Sequence, residues 1–144
     1  MMRTEQHSWL QLIMGIFDVL GYWQREAEMR DWFNRTALMF AARNGYLDCV
    51  RILAEKEAGM KDKGKMTALM YAADNGRLEC VRILAPLEQG IQIDNGWTAL
   101  MFAAKHGHLE CVKILAPLEE GMKDGYGHTA LYYTVHYSFI KECA

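Results

Sequence analysis

Two hydrophobic periods run through this chain. The short one is helical: Leu38, Ala41 and Ala42, and then Leu47, Val50 and Leu53, are spaced so that each set lies on one side of a helix. The long one is a step of 31 residues, which returns the first set as Leu69, Ala72 and Ala73 and as Leu100, Ala103 and Ala104. The second set returns as Leu78, Val81 and Leu84 and as Leu109, Val112 and Leu115. Each unit opens on Thr-Ala-Leu-Met, at Thr36, Thr67 and Thr98, and a fourth opens on Thr-Ala-Leu-Tyr at Thr129. The units starting at Thr67 and Thr98 agree at 19 of 31 positions, so the whole unit repeats and not only its opening. One helix pair cannot bury its apolar face alone, and stacked neighbours supply the missing half, so the pattern predicts an all-α solenoid.

The punctuation fits helix pairs. Threonine at 36, 67, 98 and 129 suits an N-cap, whose hydroxyl accepts free N–H groups of the first turn. Gly45, Gly76 and Gly107 end the first helix as residues able to turn left-handed. Pro86 and Pro117 predict that the regular second helix stops at Ala85 and Ala116 and that an extra turn follows. Asn95-Gly96 suits a short connecting turn. Each unit closes on Glu-x-Gly.

The ends differ from the middle. Residues 8–30 carry Trp9, Leu12, Ile13, Ile16, Phe17 and Leu20 at helical spacing, which makes residues 1–33 a capping helical segment. One bent helix and a worn repeat fit that segment equally well. Glu5 and Asp18 argue against a signal peptide, and the apolar run falls short of the ~20 residues of a membrane span. The array then occupies 34–144, with its last unit incomplete: Ser138 replaces the glycine, and the chain ends at Ala144 when a second helix has barely started. That end suits either a fragment of a longer protein or a surface masked by self-association.

Composition removes several functions. At 144 residues, 51% apolar and 24% charged, the chain is of ordinary globular make-up, and its net charge of −2 offers no basic stripe to nucleic acid or membrane. Cys49, Cys80 and Cys111 recur at the repeat step, about 8–10 Å apart for packed helices. That is too far for a disulfide, and buried free thiols suit the cytoplasm. His106, His128 and His136 match no zinc-ligand spacing, and no phosphate loop, nucleophile elbow or carboxylate pair is present. No cofactor, metal site or catalytic residue is expected, so the chain reads as not an enzyme.

The run TALMFAARNGYLDCVRILAEKEAG resembles the ankyrin repeat, whose Thr-Pro-Leu-His, paired alanines, glycine and Val-Val-x-Leu-Leu stand in the same order. Here alanine replaces the proline, and methionine (Met39, Met70, Met101) replaces the histidine that ties adjoining turns together in that family. The resemblance implies turns shorter than the usual finger-like hairpins, with packing in place of the histidine network. The 31-residue style is similar to ankyrin arrays of diplomonad protists, which stand alone or are fused to kinase-like domains.

The resemblance further implies a non-catalytic scaffold that holds a partner protein on a concave face made by the turns and the outer side of the first helices. Mapped here, the turns supply Trp32, Arg35, Lys63, Met66, Asn95, Trp97, Tyr126 and His128. The helices supply Arg43, Asn44, Asp74, Asn75, Lys105, His106, His136 and Tyr137. These positions vary between units that otherwise copy one another. Trp97, projecting from a short turn, is the expected anchor. The alternative is a targeting fragment of a larger protein, such as an ankyrin–kinase fusion whose activity lies elsewhere.

Overall fold

The computed structural model describes residues 33–143, with side chains through His136. The expected N-terminal cap therefore lies outside the described residues. Within them are seven helices and no strand: α1 (Ala37–Asn44), α2 (Leu47–Glu57), α3 (Ala68–Asp74), α4 (Leu78–Glu88), α5 (Ala99–Lys105), α6 (Leu109–Glu119) and α7 (Ala130–Cys143). First helices α1, α3, α5 and α7 pack in one row, second helices α2, α4 and α6 in another, and each pair within a unit packs across the rows. Among the described residues no helix is long and apolar enough to cross a membrane.

Small residues set how close the rows come. Ala41, Ala42, Ala72, Ala73, Ala103 and Ala104 are buried in the seam between first helices, with Leu38, Leu69 and Leu100 beside them. Val50, Leu53, Val81, Leu84 and Leu115 fill the other side. Each fully buried leucine or valine contributes about 1.5–3 kcal/mol, so several per layer hold the stack without a crosslink. Met39, Met70 and Met101 are also buried, and the Met39 sulfur accepts the Thr36 N–H at 3.4 Å.

Thr36, Thr67 and Thr98 cap their helices, their hydroxyls accepting the N–H of Met39, Met70 and Met101 at 3.3–3.4 Å. Gly45, Gly76 and Gly107 take φ of 79°, 70° and 71°, which closes each first helix. At Gly76 a side chain is excluded twice over, because an added Cβ would lie 2.8 Å from the His108 ring, which crosses the glycine to reach Asp74 O at 3.0 Å. Arg77 crosses Gly45 in the same way and donates to Arg43 O at 3.1 Å.

Two expectations are corrected. Pro86 and Pro117 lie inside α4 and α6, which run on unbroken to Glu88 and Glu119. Proline removes one N–H, and the bond that the Arg82 carbonyl loses lies between two residues on the exposed side of α4. The fourth unit does not begin a second helix either. With Ser138 in place of glycine nothing terminates the first, and α7 runs for 14 residues. Asn95-Gly96 does lie in a short turn: Gly96 N–H donates to Ile93 O at 2.8 Å, with Asp94 and Asn95 as the central residues and Gly96 after them at φ 87°.

Candidate interaction surface

The three inter-unit turns share one backbone design. Asp62, Ile93 and Asp124 each donate their N–H to the carbonyl four residues on, at Met66, Trp97 and His128, at 3.0, 3.0 and 2.9 Å. In each the next-to-last residue is left-handed: Lys65 at φ 67°, Gly96 at 87° and Gly127 at 80°. The turns also meet one another. Gly125 N–H donates to Asn95 O at 2.7 Å, and Gln92 reaches Gly96 O and Lys123 O at 2.7 and 2.9 Å.

Beneath this shared backbone the interiors differ. In the first turn the buried Asp62 carboxylate accepts the Met66 N–H at 2.9 Å and the Tyr71 hydroxyl. Burial, with the Asp62 bond, pushes the Tyr71 phenol above its usual range against the pull of Arg35 and Arg43. In the third turn buried Asp124 accepts the N–H of Tyr126 and His128, both at 2.9 Å, and the Tyr133 hydroxyl. Burial works against the Asp124 charge, but these three donors hold its carboxyl below the usual range, while burial and Asp124 push Tyr133 up to about 12. In the second turn the corresponding residues are Ile93 and Phe102, both packed on the apolar core.

Of the expected surface residues, Trp32 and the side chain of Tyr137 lie outside the described ones. Trp97 does not project. It is half-buried, its ring centroid 5.1 Å from Phe102 and 4.5 Å from Tyr133, with Lys105 Nζ at 5.4 Å over it. Met66 is likewise half-buried against the core. Arg35 lies over the rings of Phe33 and Phe40 at 5.0 and 4.7 Å. Asn44 and Asn75 turn back to close their own helices, donating to Phe40 O and Tyr71 O at 2.8 Å each, and Asn95 accepts the Trp97 N–H at 3.0 Å.

The remainder stands more open. Arg43, Lys63 and Lys105 are exposed, and His106 pairs with Asp74 at 2.7 Å. At the C-terminal end His128 stacks on Tyr132 at 3.9 Å, Tyr132 on His136 at 5.0 Å, and Tyr126, 83% exposed, lies 6.0 Å from His128. His128 and His136 thus flank Tyr132 on either side, while His106 is engaged with Asp74. Among the described residues no group of three or more histidines, cysteines or acids could hold a metal ion.

The sequence reading missed a set of buried acids. Glu57, Glu88 and Glu119 recur at the repeat step, and each is almost wholly buried. Glu88 accepts the Leu69 N–H at 3.1 Å, in the first turn of its own unit, and the Gly59 N–H at 3.2 Å, just past the second helix of the unit before. Glu119 repeats this with Leu100 at 2.8 Å and Gly90 at 3.1 Å, and Glu57 accepts from Leu38 at 3.4 Å. Each helix start leaves N–H groups without intrahelical partners, and the carboxylate answers both them and the positive end of the helix dipole. Burial nevertheless pushes Glu88 up to about 7, against its backbone donors from Gly59, Leu69 and Ala68, and Glu119 moves the same way. The signal was the closing Glu-x-Gly, a charge repeated as faithfully as the core leucines.

No curated protein matches the chain. The family model for ankyrin repeats in three copies matches residues 11–95 and 86–143, nearly the whole length. With the two-row stack of capped helix pairs, this establishes that the chain belongs to the ankyrin-repeat family.

Proposed function

We propose that this protein is a non-catalytic scaffold that binds a partner protein on the concave face formed by its turns and the outer sides of α1, α3, α5 and α7. Ankyrin repeats generally mediate protein–protein interaction. The observation that carries the reading is the contrast between copied and uncopied positions. Buried residues repeat from unit to unit, whereas the exposed Arg43, Lys63, Lys105 and Tyr126 fall at positions that change. The free cysteines fit the cytoplasm as its site of action. An array that serves as the targeting arm of a larger protein, in the style of the diplomonad arrays, would use the same face.

Capture from cell lysate tests this with two variants. One replaces Arg43, Lys105, Tyr126 and His136 by alanine; the other replaces Arg51, Arg82 and Lys113, exposed on the second helices. Trp97 stays intact because its ring is part of the packing. A partner lost by the first variant and kept by the second is the expected result, and equal capture by both would move the surface elsewhere.

A second reading is favoured at one end. Leu131 and Val135 on α7 are 71% and 61% exposed where their counterparts in earlier units are buried, and Leu109 on α6 is 61% exposed where Leu47 and Leu78 are half-buried. We infer that this end supports self-association. Sedimentation of wild type against Leu131→Lys/Val135→Lys checks it: a dimer converted to monomer is expected, and a monomeric wild type refutes it.

A further inference from the structure

The three turns are built on one backbone, so each is a control for the others. At the two outer faces of the turn and at its left-handed position the first has Lys61, Lys63 and Lys65, the second Gln92, Asp94 and Gly96, and the third Lys123, Gly125 and Gly127. All three lysines are exposed. The acid among them, Asp62, is turned inward, its carboxylate taken up by Met66 N–H and Tyr71, so the turn presents cations outward and hides its anion.

Lys65 carries a second observation. It holds φ 67°, in a position where the other two turns have glycine. A side chain there costs the backbone about 1 kcal/mol, and such outliers are found where a site uses the side chain. Lys63 N–H donates to Phe33 O at 2.9 Å and Arg35 lies over the Phe33 ring at 5.0 Å, so a further cation stands beside this turn, and the charge of the exposed Arg43 on α1 also acts on the Tyr71 hydroxyl. The positive surface ends at the second turn, where Asp94 is exposed.

We propose that the first inter-unit turn, through Lys61, Lys63 and Lys65 with Arg43 beside them, binds a short acidic segment of a partner protein. This rests on the concave-face reading and names the partner's chemistry. Size decides against nucleic acid. Even fully extended, residues 61–65 reach only about 14 Å, and among the described residues the patch goes no further than the adjoining Arg35 and Arg43 before Asp94 ends it. A run of a few glutamates or aspartates matches that reach.

The test uses the full chain and a fluorescent octapeptide of alternating glutamate and aspartate, read by anisotropy. Wild type should bind, and more weakly as NaCl rises from about 50 to about 300 mM. The variant K61Q/K63Q/K65Q should bind about tenfold more weakly, given three exposed charge pairs of modest worth. A control with R51Q/R82Q/K113Q, three charges exposed on the second helices, should bind like wild type. Circular dichroism follows each fold, and the single K63Q variant, expected to lose about two- to threefold, serves if the triple does not fold.

Equal binding by wild type and the triple variant overturns the proposal, as does equal loss in the control. Tighter binding of single-stranded DNA of the same charge than of the peptide overturns it in favour of nucleic acid. If wild type ignores the peptide while the face variant described above still loses its captured partner, this inference fails alone. If that variant also captures like wild type, the concave-face reading fails with it.

Discussion

At each joint between units two regions sit side by side and treat sequence differently. The glutamate clamp is the same residue at 57, 88 and 119 and makes the same kind of bond to the start of its unit's first helix. The turn alongside keeps its backbone but changes its interior from Asp62 with Tyr71, to Ile93 and Phe102, to Asp124 with Tyr133. The clamp answers buried N–H groups at the helix start that have no intrahelical partner, and no apolar residue can do that. The turn's backbone is closed by its own amide bonds, so its interior need only be internally consistent, polar with polar or apolar with apolar. Chemistry is fixed where the backbone depends on a side chain and free where it does not.

The largest effect is expected on the clamp. Glu88→Ala strands the buried Leu69 amide and removes the partner of the more open Gly59 amide, and stability should drop by about 2 kcal/mol, read from urea unfolding. The damage should be centred on the middle of the stack, so hydrogen exchange in α3 should rise more than in α7. Loss of less than about 1 kcal/mol would put the joint's stability in the apolar seam instead.

The clamp also gives stability a pH dependence that the turns do not share. Because the folded Glu88 pKa of about 7 lies above its ordinary 4.5, the folded chain keeps a proton that the unfolded chain has released. Its contribution is complete below about 4.5 and is lost as pH rises through about 7, so stability should fall by about 2 kcal/mol between pH 5 and 7.5. Glu119 adds in the same direction. Asp124 is lowered, so what it contributes is present above its ordinary 3.8 and lost only on stronger acidification. In Glu88→Gln the slope between pH 5 and 7.5 should shrink, and an unchanged slope would assign it to other groups.

These two regions also divide what the sequence disclosed. The 31-residue step, the threonine caps and the left-handed glycines are local or periodic, and the helix pairs follow from them. The clamps were visible as a period but not as a role, because the Leu69 and Gly59 amides lie 19 and 29 residues away and only the stack brings them together. Trp97 was misplaced for the same reason: Tyr133, against which it packs, lies far along the chain, in the unit that opens at Thr129. Pro86 misled because the rule for prolines in helices concerns the lost bond, and here that bond lies on the exposed side of α4, in its last turn.

A smaller effect, a coupling between two residues, tests whether the turn interiors obey consistency rather than identity. Ile93→Asp alone places a carboxylate among apolar groups without its tyrosine, and should cost about 2 kcal/mol. Adding Phe102→Tyr to the same chain should recover about 1 kcal/mol, a coupling that a double-mutant cycle isolates. Purely additive costs would mean that the paired exchange between units carries no energetic link.

The smallest expected change is a gain. Lys65 is left-handed where Gly96 and Gly127 stand in the sister turns, so Lys65→Gly removes backbone strain while leaving the closing bonds from Asp62 to Met66 intact. The strain relieved is about 1 kcal/mol, part of which the extra freedom of glycine in the unfolded chain takes back, so a net gain of about 0.5 kcal/mol is expected. The same substitution removes one of the three lysines and should weaken the acidic octapeptide about twofold to threefold. A chain that grows more stable as it binds less well would show that the first turn holds lysine at this position for what it touches and not for how it folds.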